Sequence, residues 1–449
     1  MFTTVLIANR GEIALRVART CRELGIRTVV AHSTADRDSA PVRFADESVQ
    51  IGPAAGRRSY LNAAAIVTAA QQTGAEAVHP GYGFLSEDAD FADICREHGL
   101  TFIGPSAEVI ALLGDKGQAR EFAVASGLDV LPGSSPRLEC GSEAAEVAAG
   151  IGYPVIIKAV AGGGGRGMSV VREPREFLRA YAETRSAALA LFGDSRVYVE
   201  KYLEGARHVE VQILADRYGD VVHLGARDCS VQRRRQKLIE ESPPPSLSPH
   251  LVAEMGAAAV RGAKQAGYVG AGTFEFVVDR DDRFYFIEVN SRIQVEHPVT
   301  EMVTGIDLIR EQLNVAAGRP LAIRQEDVLP RGFAVECRIN AEDPTRNFLP
   351  TPGLIDEFHA PGGPFVRVDS HAYSGMRITA DYDSLLAKLI TWAPDRDQAI
   401  ARMDRALSEL VVRSRSVSTT APFLREVIAH PRFRDAKHDT GLVDQMVTS

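Results

Sequence analysis

The segment Glu288-Val-Asn-Ser-Arg-Ile-Gln-Val-Glu-His-Pro298 is the one around which the chain is predicted to be organised. Polar side chains occupy every second position in it, at Glu288, Asn290, Arg292, Gln294 and Glu296. Successive side chains of an extended segment point to opposite faces, so these five groups are predicted to share one side. A row of carboxylates, amides and a guanidinium is costly to remove from water unless ligands satisfy it. The row therefore predicts a ligand-binding face.

Two strands are predicted just before this row, Thr273–Val278 and Phe284–Val289, on either side of a polar turn over residues 279–283. If the hairpin closes symmetrically, Glu275 lies directly opposite Glu288. Two like charges in a cross-strand pair destabilise a sheet, whereas a divalent cation between them reverses the effect. Mg2+, which prefers oxygen ligands, is the natural candidate. The alternative is an amphipathic hairpin with solvent-facing charges, but the aromatic residues of both strands look buried.

Composition limits the class of protein. The 449 residues exceed one hydrophobic core, so two or three domains are expected. An apolar fraction of 45% is typical of a soluble globular protein, and no run approaches the roughly 20 apolar residues of a membrane span. The net charge of −8 argues against general nucleic-acid binding, so any phosphate affinity must be local. Five scattered cysteines without a CxxC pair, and an N-terminus without a cleavage site, predict a cytoplasmic protein.

The N-terminal part of the chain is predicted to form a doubly wound parallel sheet. Short apolar strands at Thr4–Ala8, Thr28–Ala31, Val49–Ile51 and Ala77–His79 alternate with helical patterns. The GxGxxG fingerprint is absent, so no dinucleotide site is predicted. The glycine-punctuated segment His79–Glu87 follows a strand, where ligands bind in open α/β sheets, although a plain strand-to-helix connection would have the same pattern.

Two further segments carry charge or unusual flexibility. The run Gly162-Gly-Gly-Gly-Arg-Gly167 lies between strands predicted at Ile151–Val160 and Met168–Arg172. Glycines let backbone N–H groups approach an anion, so we predict a phosphate-contacting lid, with a structural hairpin as the alternative. Lys158 would add a cation. The basic cluster Arg227–Lys237 is either a solvated face or a group of cations that faces the same cleft as the acidic hairpin.

Six segments, in order and over nearly the whole chain, resemble biotin carboxylase, an ATP-grasp enzyme. They are Ile7–Ala14, His79–Glu87, Gly162–Met168, Arg227–Ser230, Glu288–Thr300 and Glu336–Glu342. The resemblance implies an α/β fold, α+β in its C-terminal part: a doubly wound N-terminal domain, a small mobile lid and a C-terminal domain. The expected boundaries are 1–114 for the N-terminal domain, 115–203 for a helical linker and the lid, 204–330 for the ATP-grasp subdomain with the metal and bicarbonate sites, and 331–449 for the C-terminal domain.

The implied reaction has two steps and needs ATP, Mg2+ or Mn2+, bicarbonate and biotin. ATP phosphorylates bicarbonate to carboxyphosphate, which breaks down to CO2 and phosphate. Biotin is then carboxylated at its ureido nitrogen.

The resemblance assigns the site residues by position. The expected metal ligands are Glu275, Glu288 and Asn290. Bicarbonate is expected on Lys237, Arg292, Gln294 and the Val295 backbone, with Glu296 as the general base. Arg338 is expected to stabilise the enolate-like oxygen of biotin, a structural ion pair being the alternative, and Glu87 to reach the nucleotide side. The residues expected to bind ATP are Lys116, Lys158, Gly163, Gly164, Gly165, Glu200, Lys201, Leu203, His208, Gln232, Glu275 and Glu288.

The chain also departs from the family pattern, at positions that the resemblance does not assign to metal, bicarbonate or biotin. These departures are expected to affect packing, nucleotide affinity or subunit contacts, and they are Ala161, Ala226, Arg235, Asp381, Ser416 and Thr420.

The expected partners follow from the resemblance and from one missing motif. The chain has no Met-Lys-Met biotinylation motif, so biotin is expected on a separate biotin carboxyl carrier protein, with a carboxyltransferase as a third component. A homodimer is expected, as in the stand-alone subunit of an acyl-CoA carboxylase of fatty-acid synthesis; no nucleic acid and no membrane is expected as a partner. The alternatives are another ATP-grasp ligase acting on a small carboxylate or carbamate, and a non-catalytic subunit that binds nucleotide.

Overall fold

A parallel sheet between two layers of helices forms the N-terminal part of the computed structural model, which describes residues 1–134, 138, 140–161 and 167–448. The strands lie in the order β3-β2-β1-β4-β5, and every neighbouring pair is parallel. Their bounds are β1 Thr4–Ile7, β2 Arg27–Ser33, β3 Glu47–Gly52, β4 Ala77–His79 and β5 Thr101–Phe102.

Helices cover both faces of this sheet because its strand residues alternate between two apolar clusters. Val5 and Ile7 pack in one cluster, and Leu6 and Ala8 in the other. The helices of this part are α1 Gly11–Glu23, α2 Ala40–Phe44, α3 Ala63–Thr73, α4 Ala89–Glu97, α5 Ala107–Gly114 and α6 Lys116–Ala125. The predicted doubly wound sheet is confirmed.

A small antiparallel sheet, in the order β7-β6-β8, follows in the chain. The sequence predicts a strand from Ile151 onwards, but Ile151 ends a helix, and Gly152, at a φ of +81°, lies between that helix and the strand. Gly163, Gly164 and Gly165 lie outside the described residues. The elements here are α7 Gly141–Ile151, β6 Val155–Ala159, β7 Met168–Val171, α8 Pro174–Phe192 and β8 Val197–Lys201.

The region that carries the acidic hairpin comes next. The sequence predicts one helix over Glu301–Ala317, but two are present, because Gly305 ends the first in a left-handed conformation and the Asp307 side chain caps the second by accepting from the Arg310 N–H. The elements are β9 Arg207–Ala215, β10 Val221–Arg233, β11 Gln236–Ser242, α9 Pro249–Gln265, β12 Gly270–Val278, β13 Phe284–Asn290, α10 His297–Thr304 and α11 Leu308–Ala316.

The C-terminal part adds longer strands to the same sheet and several two-residue and three-residue strands around it. Its strands are β14 Phe333–Asn340, β15 Glu342–Asp343, β16 Leu349–Pro350, β17 Gly353–Leu354, β18 Glu357–His359, β19 Val366–Ser370, β20 Arg377–Ile378, β21 Leu385–Ala393 and β22 Val411–Arg413. Its helices are α12 Arg396–Glu409, α13 Ala421–Ala429, α14 Pro431–Arg434 and α15 Leu442–Thr448.

An eight-stranded antiparallel sheet joins these last two regions, in the order β13-β12-β9-β10-β11-β14-β21-β19. Because β14, β19 and β21 belong to the same sheet as β9–β13, the sheet continues across the proposed boundary at 330. The division of the chain at 114, 203 and 330 stays a prediction. Within the described ranges, no helix is long and apolar enough to cross a membrane.

Candidate active site

The acidic hairpin closes with Glu275 directly opposite Glu288, as its symmetry predicts. A one-residue bulge follows this pair, so that Phe276 lies opposite Phe286. The Glu275 carboxylate is buried, and its Oε1 accepts from Asn290 Nδ2 at 2.9 Å. The aromatic side chains Phe274 and Phe276 are fully buried, which confirms that the hairpin is not a solvent-facing one.

The row of alternating polar residues leaves strand geometry after Asn290, so the prediction of one extended segment through Glu296 is wrong. The polar groups still converge, because Arg292 folds back along the loop. Its Nη2 donates to Asn290 Oδ1 at 3.0 Å, and its Nη1 donates to Gln294 Oε1 at 2.9 Å. A guanidinium with several donors in one plane is suited to holding such a loop and a planar anion together.

Glu296 lies at the centre of a buried group of opposite charges. Its Oε1 accepts from Lys237 Nζ at 2.6 Å, and its Oε2 accepts from Arg338 Nη2 at 2.9 Å. Lys237 also donates to Glu210 at 2.6 Å and to Glu275 at 2.9 Å. One ammonium therefore contacts three carboxylates, which come from β9, β12 and the loop after β13.

These contacts set the ionisation of the two central groups. Burial raises the pKa of Glu296, but Lys237, Arg338 and Arg227 outweigh burial and hold that pKa well below its usual range. Burial lowers the pKa of Lys237, yet its carboxylate partners raise it well above the usual range. Both side chains are therefore charged at neutral pH. The sequence leaves open whether burial or neighbouring cations set the pKa of Glu296, and in the structure the cations have the larger effect.

Arg338 links this group to a second buried acid. Its Nε donates to Glu240 Oε1 at 2.6 Å, so the guanidinium joins Glu240 to Glu296. Burial raises the pKa of Glu240 to about 7, although Arg338 opposes the shift. Arg338 thus makes the structural ion pairs of the alternative hypothesis, but it also faces the cleft.

Those residues predicted to bind ATP that the structure describes lie around the same opening. Lys116, the first residue of α6, pairs with Glu288, and Lys158 Nζ donates to Glu200 Oε2 at 2.5 Å. His208 Nε2 lies 2.9 Å from Glu275 Oε2. Burial lowers the pKa of His208, but the Glu275 carboxylate outweighs it and raises that pKa above its ordinary value.

Lys201, whose contact with ATP stays a prediction, donates from its ammonium to the carbonyl oxygens of Gly152 and Tyr153 at 2.9 and 3.2 Å. This contact ties β8 to the segment before β6. Lys201 nevertheless contributes to the cavity wall, together with Leu203 and Gln232.

The basic cluster Arg227–Lys237 is a strand, a tight turn and the start of the next strand rather than one face. Arg234 and Arg235 form the turn at φ values of +47° and +67°, between the paired residues Arg233 and Gln236. Arg227 is fully buried and donates to Glu210 at 2.5 Å, whereas Arg234 and Arg235 line the cleft. Neither hypothesis describes the whole cluster, since its first arginine is internal and its last residues face the cleft.

The site contains one cavity of about 1170 Å3. With the exception of Glu87, every predicted site residue that the structure describes lines it, from Lys116 to Arg338. The segment after β4 contributes Tyr82, and the start of α1 contributes Glu12. Gly81 is at a φ of +63°, and a side chain there would collide with the Asn9 side-chain amide. This amide donates to the carbonyl oxygens of residues 80 and 82 at 2.7 and 2.8 Å.

Two expectations about individual residues need correction. Glu87 is expected on the nucleotide side, but it accepts from Arg292 Nε and from the Ser291 N–H, both at 2.9 Å, and so supports the loop after β13. Thr420 is expected to affect only packing, nucleotide affinity or subunit contacts. Its hydroxyl donates to the Arg338 carbonyl at 3.0 Å, which places this departure directly behind a predicted catalytic residue.

Sequence reasoning missed Glu210 and Glu240. Glu210 lies two residues after His208 on β9 and therefore on the same face, a signal that strand alternation contains. Arg227 is its cross-strand partner, within a motif that the sequence singles out. Glu240 carries no comparable signal, because its partner Arg338 is nearly 100 residues away.

Family models match three consecutive parts of the chain. The model for "Biotin carboxylase, N-terminal domain" matches residues 1–110, that for "Carbamoyl-phosphate synthase L chain, ATP binding domain" residues 115–324, and that for "Biotin carboxylase C-terminal domain" residues 336–445. Among curated relatives, biotin carboxylase of Nostoc sp. is 52% identical over 99% of both chains, and biotin carboxylase 1 of Bacillus subtilis is 53% identical over 99% of this chain and 98% of its own length.

Solved structures give the same result at the level of the fold. The complex of Campylobacter jejuni biotin carboxylase with a β-γ-ATP ligand has a TM-score of 0.96 and is 46% identical over 99% of both chains. The biotin carboxylase domain dimer of Hydrogenobacter thermophilus 2-oxoglutarate carboxylase, in complex with MgADP, ADP and bicarbonate, has a TM-score of 0.96 and is 46% identical over 100% of this chain and 99% of its own. This chain belongs to the biotin carboxylase family, whose members are ATP-dependent ligases with the ATP-grasp fold.

Proposed function

We propose that this cleft carries out the MgATP-dependent carboxylation of biotin with bicarbonate, through carboxyphosphate. The observation that carries the proposal is the Glu296 carboxylate, buried between Lys237 and Arg338 at 2.6 and 2.9 Å in the cavity wall. A base beside two cations suits a substrate that is an anion and must also lose a proton. Another ATP-grasp ligase would need the acidic hairpin, but it would not need Arg338 beside Glu296.

The nucleotide is assigned to the side of the cleft formed by α6, β6 and β8. Lys116 and Lys158 would turn from Glu288 and Glu200 to the phosphates and neutralise the charge that develops in phosphoryl transfer. The remaining ATP contacts in this proposal are Gly163, Gly164, Gly165, Glu200, Lys201, Leu203, His208 and Gln232.

The residues of the acidic hairpin fit a hard divalent cation. Glu275 and Glu288 form a cross-strand pair of like charges, and Asn290 adds an amide oxygen, so the donors are oxygen atoms only. In the structure, lysines neutralise both carboxylates: Lys116 pairs with Glu288 and Lys237 with Glu275. When bound there, Mg2+ or Mn2+ would withdraw charge from the phosphate oxygens of ATP.

Bicarbonate is assigned to Lys237, Arg292, Gln294 and the Val295 backbone. The bound anion would share the donors of Lys237 and Arg338 that Glu296 now occupies, which would weaken their hold on Glu296 and raise its pKa toward that of a useful base. Glu296 would then take the bicarbonate proton as a bicarbonate oxygen attacks the γ-phosphorus of ATP and ADP leaves.

Biotin is assigned to the Arg338 side of Glu296. Carboxyphosphate would break the bond between its carbon and the phosphorus-bound oxygen to give CO2 and a phosphate anion. The phosphate would take the proton of the biotin ureido nitrogen, which would then add to CO2. The negative charge on the ureido oxygen would be stabilised by the Arg338 guanidinium, which is held in place by Glu240 at 2.6 Å. The residues with catalytic roles in this proposal are Glu296, Arg338, Arg292 and Lys237.

The test is phosphate release from MgATP by the purified chain and by its Glu296→Gln variant. The parent chain should release phosphate in a bicarbonate-dependent manner that free biotin stimulates. Glu296→Gln should lose this release by about 10²-fold or more while it still binds ATP, because an amide cannot take the proton. The control is ATP binding by both proteins, measured by calorimetry. Equal turnover in the variant would contradict the role of Glu296, and bicarbonate-independent turnover in the parent would contradict the reaction.

The proposed partners are a biotin carboxyl carrier protein, carboxyltransferase subunits and a second copy of the chain, and the proposed location is the cytoplasm. The dimer is supported by the biotin carboxylase domain dimer of Hydrogenobacter thermophilus, and light scattering of the purified chain would test it.

We infer an acyl-CoA carboxylase as the complete system. A 2-oxo acid carboxylase is the second candidate, because a pyruvate carboxylase polypeptide of Methanothermobacter thermautotrophicus is 49% identical over 99% of this chain and 90% of its own length. Reconstitution with each carboxyltransferase would separate the two, since only the matching one should carry the carboxyl group on to its acceptor.

A further inference from the structure

A buried lysine bonds the backbone of the loop over residues 291–296, to which bicarbonate is assigned. Lys388 lies in the middle of β21, and its side chain has no exposed surface. Its Nζ donates to the Val295 carbonyl oxygen at 2.8 Å and lies 3.1 Å from Glu12 Oε1. An ammonium without water is costly unless it is paired and hydrogen-bonded, and these two contacts supply both, while a second carboxylate oxygen, Asp369 Oδ2, lies farther away at 4.0 Å.

The partner of Lys388 belongs to a different part of the chain. Glu12 lies in the first turn of α1, is buried, and also accepts from the hydroxyl of Tyr82, a residue that lines the cleft. A short network therefore runs from Tyr82 through Glu12 and Lys388 to Val295. It connects the N-terminal sheet, β21 and the loop after β13, three regions that meet only in the folded molecule.

The contact with Val295 fixes the backbone of the proposed base. The Val295 carbonyl and the Glu296 N–H belong to one planar peptide, so an anchored carbonyl sets the direction in which the Glu296 side chain leaves the loop. The preceding carbonyl, that of Gln294, is bound by His297 Nδ1 at 2.7 Å. Two consecutive carbonyls of the loop are thus anchored.

We propose that Lys388 is a positioning residue, whose ammonium orients the Val295–Glu296 peptide so that Glu296 and the Val295 backbone face bicarbonate. The inference rests on the proposed function of these two residues. The competing explanation is that Lys388 only compensates the charge of Glu12. The two explanations differ in what happens when the charge of Glu12 is removed together with that of Lys388.

The experiment compares Lys388→Met, the double variant Glu12→Gln/Lys388→Met, and Arg396→Met. Arg396 is a matched control, because it is a nearly buried cation that pairs with Glu241 at 2.7 Å and does not line the cleft. Bicarbonate-dependent phosphate release is measured as kcat and as the separate KM values for bicarbonate and ATP.

Lys388→Met is expected to lower kcat/KM for bicarbonate by about tenfold or more at an unchanged KM for ATP, since a displacement of about 1 Å of a reacting group can cost 10²-fold. The double variant should regain thermal stability but not kcat/KM for bicarbonate. If the double variant regains both, Lys388 serves only as the counter-charge of Glu12 and the proposal is wrong. Arg396→Met should lose stability without changing the ratio of the two KM values.

Amide hydrogen exchange, followed by mass spectrometry, gives a readout that does not depend on activity. Peptides covering residues 292–299 should exchange about tenfold faster in both Lys388 variants than in the parent, and at the parent rate in Arg396→Met. Unchanged exchange in the Lys388 variants would overturn the proposal. Absence of bicarbonate-dependent turnover in the parent chain would instead contradict the proposed function, and the exchange experiment would still decide whether Lys388 holds the loop.

Discussion

At the scale of single residues, Thr420 contacts the backbone of the strand that carries Arg338. Thr420 is fully buried, and its hydroxyl donates to the Arg338 carbonyl at 3.0 Å and accepts from the Asn340 N–H at 2.9 Å. It thereby bonds two backbone groups of β14, and one of them belongs to Arg338, whose guanidinium contacts Glu296. Thr420 is not a predicted catalytic residue, but it holds the strand that carries one.

Thr420→Val is expected to lower the midpoint of thermal unfolding, because it keeps the volume of the side chain but removes the partner of the partly buried Asn340 N–H and Arg338 C=O. The cost is about 0.5–1.5 kcal/mol for each lost hydrogen bond. The measurement is thermal unfolding followed by circular dichroism. The control is Thr351→Val, whose hydroxyl bonds Ser418 in a more exposed place. Equal midpoints for the two variants would show that the Arg338 contact contributes nothing specific.

At the scale of elements, the chain after α14 is held against β10 and β11 by a buried histidine between two acids. His438 Nε2 lies 3.5 Å from Asp228 Oδ1 and 3.7 Å from Glu241 Oε1. Burial lowers the pKa of His438, but Asp228 and Glu241 outweigh burial and raise it above its ordinary value. The histidine therefore carries a charge in the folded protein over a range of pH in which it would be neutral in the unfolded chain.

The stability of the chain should consequently depend on pH through His438. Because the folded pKa is the higher one, the stabilisation is complete below the unfolded value of about 6.5 and is lost as pH rises through the folded value. His438→Gln should lower the unfolding midpoint clearly at pH 6 and much less at pH 9. His250→Gln, on an exposed face of α9, is the control and should show no such difference. A deficit in His438→Gln that is constant with pH would refute this linkage.

At the scale of the whole molecule, the C-terminal part closes onto the N-terminal sheet beside the cleft. The Tyr382 hydroxyl lies 2.6 Å from both Ser33 Oγ and the Ala54 carbonyl oxygen, and the Arg10 guanidinium lies over its ring at 4.2 Å from the centroid. The ring also packs edge-on against Tyr60 at 5.6 Å. The cleft is therefore bounded by groups that are far apart in sequence and brought together by this contact.

Tyr382→Phe is expected to weaken this contact while it preserves ring packing. Loss of the two hydrogen bonds should cost about 1–2 kcal/mol and make the chain easier to cleave with a protease under native conditions. The measurement is the rate of limited proteolysis together with the unfolding midpoint. Tyr218→Phe, whose exposed hydroxyl bonds the Gly318 carbonyl, serves as the control. Cleavage at the parent rate would show that the hydroxyl does not hold the two parts together.

The local features of this protein could be predicted from its amino-acid sequence. The β1–α1–β2 opening, the hairpin with Glu275 opposite Glu288 and the family resemblance follow from periodicity, turn residues and motifs, all of which are short-range signals. The same signals failed where the chain leaves regular geometry, as in the loop from Ser291 to Glu296 and at Gly305.

Which charged group contacts which partner could be seen only in the folded molecule. Glu240 with Arg338, Glu87 with Arg292, and Lys388 with Val295 join residues about 90 to 200 positions apart, and no periodic pattern encodes such pairs. The ionisation of Glu296 has the same origin, because burial and two cations from β11 and β14 act on it in opposite directions. Which effect prevails depends on distances and exclusion of water, and these exist only once the three regions have packed together.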